Sequence, residues 1–266
     1  MYGLPRSCRE GPLPRRPEAG EVHVWIVDTA HRTGSDPGDA AHRDAARAMA
    51  HTILAGYLAT TSAQPRFDLG DFGKPRLGPG LDGTGLRFNI SYAARRLLLG
   101  VSTGVELGVD VERCRPVRHA ARLAARYFPA DEYRRYRDLP PERRPEGFIS
   151  GWTRTEALAK ARGTGIFRIG RPPDPMPTGS GTAWSLYDLD AGRGYRAALA
   201  AAGFEHDVRA IPLGWKPDTH EIEFFAGTTP VRYDGECFGH SGAPEAPWPV
   251  LSQGPATRQE TKRPGP

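Results

Sequence analysis

Two short runs hold the side chains best suited to chemistry. In Gly108-Val109-Asp110-Val111-Glu112 the β-branched valines favour an extended strand, which turns the carboxylates of Asp110 and Glu112 to one face. In Trp152-Thr153-Arg154-Thr155-Glu156-Ala157-Leu158-Ala159-Lys160 a helix-forming run puts Glu156 and Lys160 one turn apart on a common face. Side by side, three carboxylates and an ammonium suit a hard divalent cation and a phosphate, and therefore phosphoryl-ester chemistry. Spacing alone is weak evidence for this. Acid-x-acid recurs at Asp188/Asp190, Glu221/Glu223 and Asp234/Glu236, and a bare pair is usually a solvated sheet face. By the same standard, Glu156 and Lys160 would form a surface ion pair contributing about 0.3–0.5 kcal/mol.

The elements that must position these residues follow from periodicity. Val22 to Val27 reads as a strand, and residues 40–59 read as an amphipathic helix with Ala46, Met49, Ala50, Ile53, Leu54, Tyr57 and Leu58 on one face. Gly70-Asp71-Phe72-Gly73-Lys74-Pro75 is rich in turn formers, and Leu86 to Ser91 is extended. Leu97 to Val101 and Val105 to Val111 are expected to form a hairpin around Ser102-Thr103-Gly104. Short arginine-rich helices are expected at residues 119–127 and 131–137, then a longer one from Gly147 to Arg162 that stops at Gly163-Thr164-Gly165. Strand-like runs follow at Ala183 to Tyr187, Tyr195 to Ala201 and Val208 to Ile211. The fold class is α+β. The repeated order suggests two similar halves, 21–117 and 118–215, between a flexible tail at 1–20 and an extension at 216–266 that is Gly/Pro-rich and expected to be disordered from about residue 235.

At 266 residues and 38% hydrophobic composition the chain can bury a substantial core. It has no apolar run of membrane-spanning length, and Met1-Tyr2-Gly3-Leu4-Pro5-Arg6 lacks the core of a signal peptide. Cys8, Cys114 and Cys237 have neither metal-ligand spacing nor a disulfide framework. A reducing, cytoplasmic setting is expected. The formal charge of +5, from 36 Lys and Arg against 31 acids, favours anionic partners. No zinc-finger, RNA-recognition or helix-turn-helix pattern is present, so neither nucleic acid nor membrane is expected as a partner.

In order along the chain, Ala41-His42-Arg43, Gly73-Lys74-Pro75, Phe88-Asn89-Ile90-Ser91, Gly108 to Glu112, Phe128 and Trp152 to Lys160 with Gly163 and Gly165 resemble the 4'-phosphopantetheinyl transferases of the surfactin-synthetase-activating type. The resemblance covers about Val22 to Ala201. It implies a pseudo-dimer of two α+β halves with the active site in the cleft between them. It also implies a reaction in which coenzyme A donates its phosphopantetheine arm to a serine hydroxyl of an apo acyl or peptidyl carrier protein, with magnesium, releasing adenosine 3',5'-bisphosphate. On that pattern Asp110, Glu112 and Glu156 hold the metal, and Glu156 helps to remove the serine proton. Lys160 contacts the pyrophosphate, and Arg43, Lys74, Ser91 and Tyr92 lie along coenzyme A.

Two positions depart from the family. Tyr92 stands where histidine is usual and Thr155 where many members have lysine. A tyrosine can donate a hydrogen bond to phosphate but brings no positive charge, so weaker coenzyme A binding is expected. A homologue that binds carrier or coenzyme A without turnover is the alternative. Arginines 118, 122, 126, 134, 135 and 137 could dock an acidic carrier or form a solvated basic face. Fatty acid, polyketide and nonribosomal peptide carriers all stay open, and two halves sharing a cleft would let a monomer work.

Overall fold

Alternation along each strand decides which face meets a helix and which meets a second sheet. The structure, a computed structural model, describes residues 15–29, 39–58, 67–69, 75–78, 81–164, 183–216, 221–224 and 230–231. In chain order its elements are β1 (Glu21–Asp28), α1 (Asp39–Tyr57), β2 (Phe67–Leu69), β3 (Pro75–Leu77), β4 (Leu86–Ala93), β5 (Arg96–Thr103), β6 (Leu107–Arg113), α2 (Ala120–Tyr127), α3 (Ala130–Asp138), α4 (Arg144–Arg162), β7 (Trp184–Leu189), β8 (Tyr195–Ala202), β9 (Asp207–Lys216), β10 (Glu221–Phe224) and β11 (Pro230–Val231). The mixture of helices and largely antiparallel sheets is the α+β class expected.

The first sheet runs β10-β9-β1-β5-β4, with β11 also on β9; the second runs β6-β8-β7; and β2 pairs with β3. Trp25, Val27, Leu97 and Leu99 on one face of the first sheet bury against Ile53 and Leu54 of α1. The alternate residues Val22, Val24 and Leu98 meet Val109 and Leu199 of the second sheet. On its far side the second sheet offers Ala198 and Ala200 to Ala157 and Ala161 of α4. Small side chains on both surfaces let this helix sit close. The succession strand, helix, hairpin therefore occurs twice: β1, α1 and β4–β5 in the order β1-β5-β4, then β6, α4 and β7–β8 in the order β6-β8-β7.

The structure differs from the sequence expectations in three places, and it adds two strands within the expected extension after residue 216. β5 and β6 do not form a hairpin, because both edges of β5 are taken, by β1 and by β4, and β6 pairs with β8 instead. The hairpin lies one step earlier, between β4 and β5. Consequently β6, counted from sequence in the half ending at 117, belongs to the second sheet, whereas β9, counted in the half after 118, runs parallel to β1 in the first. At the N-terminus, residues 15–20 are tied down: Arg15 donates to Glu21 at 2.9 Å, and the Glu18 amide donates to the same carboxylate. Beyond residue 216, β10 and β11 extend the first sheet.

The long helix α4 carries Pro145 in its first turn, Lys160 and Arg162 in its last, and Gly163 as a left-handed cap at φ 67°. Its interior glycines weaken it intrinsically but permit packing. A Cβ on Gly151 would lie 2.6 Å from Phe128 Cε2. One turn on, towards the same Glu132 that Gly151 faces, Arg154 forms ion pairs with Glu132 of α3 at 2.6 Å and Asp188 of β7 at 2.8 Å, all three groups being nearly enclosed. The tightest contact with backbone is at β6, where a Cβ on Gly108 would lie 2.2 Å from the carbonyl oxygen of Ala157 and 2.4 Å from the amide nitrogen of Ala161. Both are backbone atoms, so α4 would have to move. Gly108→Ala should therefore lower stability by about 1–3 kcal/mol, the usual cost of overpacking, read as a lower urea midpoint at unchanged slope. An unchanged midpoint would show that α4 does not need this contact.

Candidate active site

Because α4 rests on β6 at Gly108, the side chains of Glu156 and Lys160 reach those of Asp110 and Glu112. Lys160 Nζ donates to Asp110 Oδ1 at 2.6 Å and to Ser91 Oγ at 3.0 Å. Ser91 Oγ donates to the same Asp110 oxygen at 2.9 Å and accepts the Val111 amide at 3.3 Å. Two residues earlier on β4, Asn89 Oδ1 accepts the Val109 amide at 2.9 Å. One edge of β6 is thus satisfied by two side chains rather than by a neighbouring strand, and the residue between the two bonded amides is Asp110. Asn89 and Ser91 are buried, so β4 fixes Asp110 in place.

The electrostatics show how crowded the carboxylates are. Burial pushes the Asp110 carboxyl up, while Lys160, Ser91 and the Val111 amide pull it down. Burial, then the charge of Asp110, raises Glu112, with Arg115 and Lys160 opposing. Glu156 is pushed up to about 7, by burial first and then by Asp110 and Glu112, against the pull of Lys160. Glu112 feels the charge of Asp110, and Glu156 feels the charge of both. The expected i,i+4 pair of Glu156 with Lys160 is not the contact made, since the ammonium goes to the deeper Asp110.

In donor chemistry the cluster suits a hard cation. All three candidate ligands offer oxygen, and Asp110 Oδ2 is buried with no hydrogen-bond partner among the described residues. As they stand, however, no three His, Cys, Asp or Glu side chains among the described residues converge on a metal-ligand geometry. Lys160 supplies the countercharge instead.

The other sequence-selected residues are distributed as follows. Ser91 is buried and bonded within the protein, so its hydroxyl braces Asp110 and Lys160. Tyr92, the next residue, is 44% exposed. Arg43 falls within α1, but its side chain lies outside the described residues, as do Lys74 and Gly165. Trp152 packs on the aromatic cluster of Phe128, Tyr136 and Phe148, stacked on Phe148 at 5.8 Å, and is structural. Of the acid-x-acid rivals, Asp188 pairs with Arg154, and Asp190 accepts the Gly192 amide at 2.8 Å. Asn89 was not singled out from sequence as a site residue. Its signal was present, in a strand asparagine two residues before a serine on the face opposite Phe88 and Ile90.

Comparison with known proteins gives a consistent picture. The model of the 4'-phosphopantetheinyl transferase superfamily matches residues 106–200, which runs from just before β6 into β8. The chain is 32% identical over 235 residues to "4'-phosphopantetheinyl transferase HetI" of a Nostoc species, covering 77% of this chain and 95% of that protein. It is 33% identical over 110 residues to "4'-phosphopantetheinyl transferase AcpT" of Escherichia coli K12, covering 41% of this chain and 55% of the relative. It is 34% identical over 79 residues to "4'-phosphopantetheinyl transferase psf-1" of Bacillus pumilus, covering 30% and 33%.

The raised Glu156 makes folding stability depend on pH. A carboxyl whose folded-state pKa is raised stabilises the fold below its ordinary value of 4.5, and that stabilisation is lost as pH rises through about 7. In metal-free buffer the melting temperature should therefore fall between those two values, and Glu156→Gln should flatten the fall. A parent and variant with parallel profiles would mean that Glu156 is not crowded by its neighbours.

Proposed function

Since this chain belongs to the 4'-phosphopantetheinyl transferase superfamily and is an enzyme of that class, we propose that it transfers the 4'-phosphopantetheine arm of coenzyme A to a serine hydroxyl of an apo acyl or peptidyl carrier protein, with magnesium, releasing adenosine 3',5'-bisphosphate. The observation that carries this reading is the Asp110, Glu112, Glu156 and Lys160 cluster at the contact of β6 with α4. It is also the reason to favour turnover over carrier or coenzyme A binding alone.

Asp110, Glu112 and Glu156 would hold the metal, which when bound supplies positive charge to a phosphoryl group already carrying negative charge. In the transfer, the serine oxygen bonds to the β-phosphorus as the bond from that phosphorus to the bridging oxygen of the bisphosphate breaks. Glu156 takes the serine proton. Lys160 offsets charge on the pyrophosphate as a point charge. Ser91 serves coenzyme A indirectly, by steadying Lys160 and Asp110, while Arg43, Lys74 and Tyr92 are proposed to contact it directly. The two strand-helix-hairpin units are read as halves of a pseudo-dimer with the site in their cleft, so that a monomer in the cytoplasm is complete.

The arginines narrow as a docking surface. Arg134 pairs with Asp131 and Arg137 with Asp138 on their own helix, whereas on α2 Arg126 lies over the Tyr127 ring at 5.5 Å and both Arg122 and Arg126 are exposed. We assign those two to an acidic face of the carrier. Reversing their charge should raise the apparent KM for carrier and spare that for coenzyme A; equal effects on both would reject the assignment.

The central test is carrier mass after incubation with magnesium, coenzyme A and a panel of apo carrier proteins. A gain of one phosphopantetheine group is expected, and Glu156→Gln should slow it by roughly 10²–10⁴-fold. No gain on any carrier that a control enzyme modifies would overturn the reading.

A further inference from the structure

Lys160 occupies the position a cation would seek. Its ammonium lies 2.6 Å from Asp110 Oδ1 and 3.0 Å from Ser91 Oγ, while Asp110 Oδ2 is buried without a partner among the described residues. The two ends of this ion pair are unequal in freedom. Asp110 is 6% exposed at its side chain and fixed by β4 and β6, whereas Lys160 is 29% exposed and rides on a flexible four-carbon stem. The ammonium has a choice of acids, with Glu156 one turn before it on the same helix. It takes the most buried one, where an uncompensated carboxylate would cost most.

A divalent cation reaching the same oxygens brings twice the charge and needs Asp110 as a ligand. Cation and ammonium cannot both sit against Oδ1, since two positive centres at contact distance repel strongly in a partly desolvated site. The stem of Lys160 lets the ammonium retreat, while the carboxylate cannot.

We propose that Lys160 is the resting counter-ion of Asp110: a divalent cation taken up by the carboxylates displaces its ammonium, which is thereby released to an anionic phosphate. This rests on the reading that Asp110, Glu112 and Glu156 hold the cation. It makes cation and phosphate-bearing substrate cooperative, because the cation frees the group that the phosphate needs. By linkage each then raises the other's affinity by the same factor. The paired ammonium also offsets the charge of buried Asp110 and so limits its cost to the fold.

The test uses the full chain and Mn2+ as probe, with binding followed by loss of the free-ion electron paramagnetic resonance signal. Without coenzyme A, Lys160→Met should bind Mn2+ roughly tenfold more tightly than the parent, in the range of ordinary coupling energies. Mn2+ should also raise its melting temperature by more. Adding coenzyme A should tighten Mn2+ binding to the parent, and that gain should vanish in the variant. Lys160→Gln, which keeps a donor to Asp110 but no charge, should move the same way and guards against a methionine variant that folds poorly. Unchanged or weaker Mn2+ affinity in both variants, or no Mn2+ binding by any of the three chains, overturns the proposal. A parent that loads carriers alongside variants of unchanged Mn2+ affinity keeps the transferase reading and loses this one.

Discussion

The approach of α4 to β6 over Gly108 is the constraint on which the site depends. A side chain at 108 would hold the helix off the strand, and Glu156 and Lys160 would then stand away from Asp110 and Glu112. Bringing them together is costly, since burial raises the proton affinity of all three acids and the charge of Asp110 adds to it at Glu112 and Glu156. The fold accepts that cost because hydrophobic contacts elsewhere on α4 are strong enough to hold it. Ala157 and Ala161 pack on the alanine face of β8, and Phe148 lies within the aromatic cluster of α2 and α3. Lys160 offsets part of the repulsion, and its choice of Asp110 over Glu156 follows the depth of burial.

Two further devices prevent the crowded site from relaxing. On one side, Asn89 and Ser91 stitch β4 to β6 through backbone amides that a missing strand would otherwise satisfy. These bonds span the two sheets, and the core between them, from Val22, Val24 and Leu98 to Val109 and Leu199, excludes water from the join. On the other side, Arg154 joins α4 to α3 and β7 through Glu132 and Asp188, with four contacts of 2.6–2.9 Å. A buried ion triad of this kind contributes little net stability, yet breaking it is expensive, so it specifies where α4 sits more than it strengthens the fold. Removing the arginine would leave two buried carboxylates without their countercharge.

Much of this was legible in residue order. The helical readings of residues 40–59 and 147–162 and the alternation of Val22 to Val27 each describe interactions within one element, and they fall on α1, α4 and β1. Pairing between elements was not legible. A short glycine-containing link at 102–104 reads as a hairpin only if the partner strand is assumed adjacent. Nothing local says that β5 already has two neighbours, and the same blindness moved β6 and β9 across the boundary drawn at residue 117. The site shows the same division. Asp110 with Glu112, and Glu156 with Lys160, are readable as pairs, because spacing within a strand or helix decides their faces. That Lys160 crosses to Asp110, and that Ser91 turns inward to meet it, depends on how close two elements come.

The departures at Tyr92 and Thr155 carry different weight once their surroundings are known. Thr155 is 4% exposed and its hydroxyl donates to the Gly151 carbonyl at 2.8 Å. It is therefore part of the packing of α4, on a turn already occupied by the ion pairs of Arg154. An ammonium there would have to leave the interior or find a countercharge that Glu132 and Asp188 already give to Arg154. The threonine is thus consistent with the interior of this chain and takes nothing from the acidic cluster. Tyr92 is different: it follows Ser91 directly, stands out into solvent, and has no part in the core. Its exchange for a cationic side chain would alter surface charge while leaving the fold intact. Position 92 is therefore where charge can vary independently of stability, whereas at position 155 a change of charge would disturb the packing of α4.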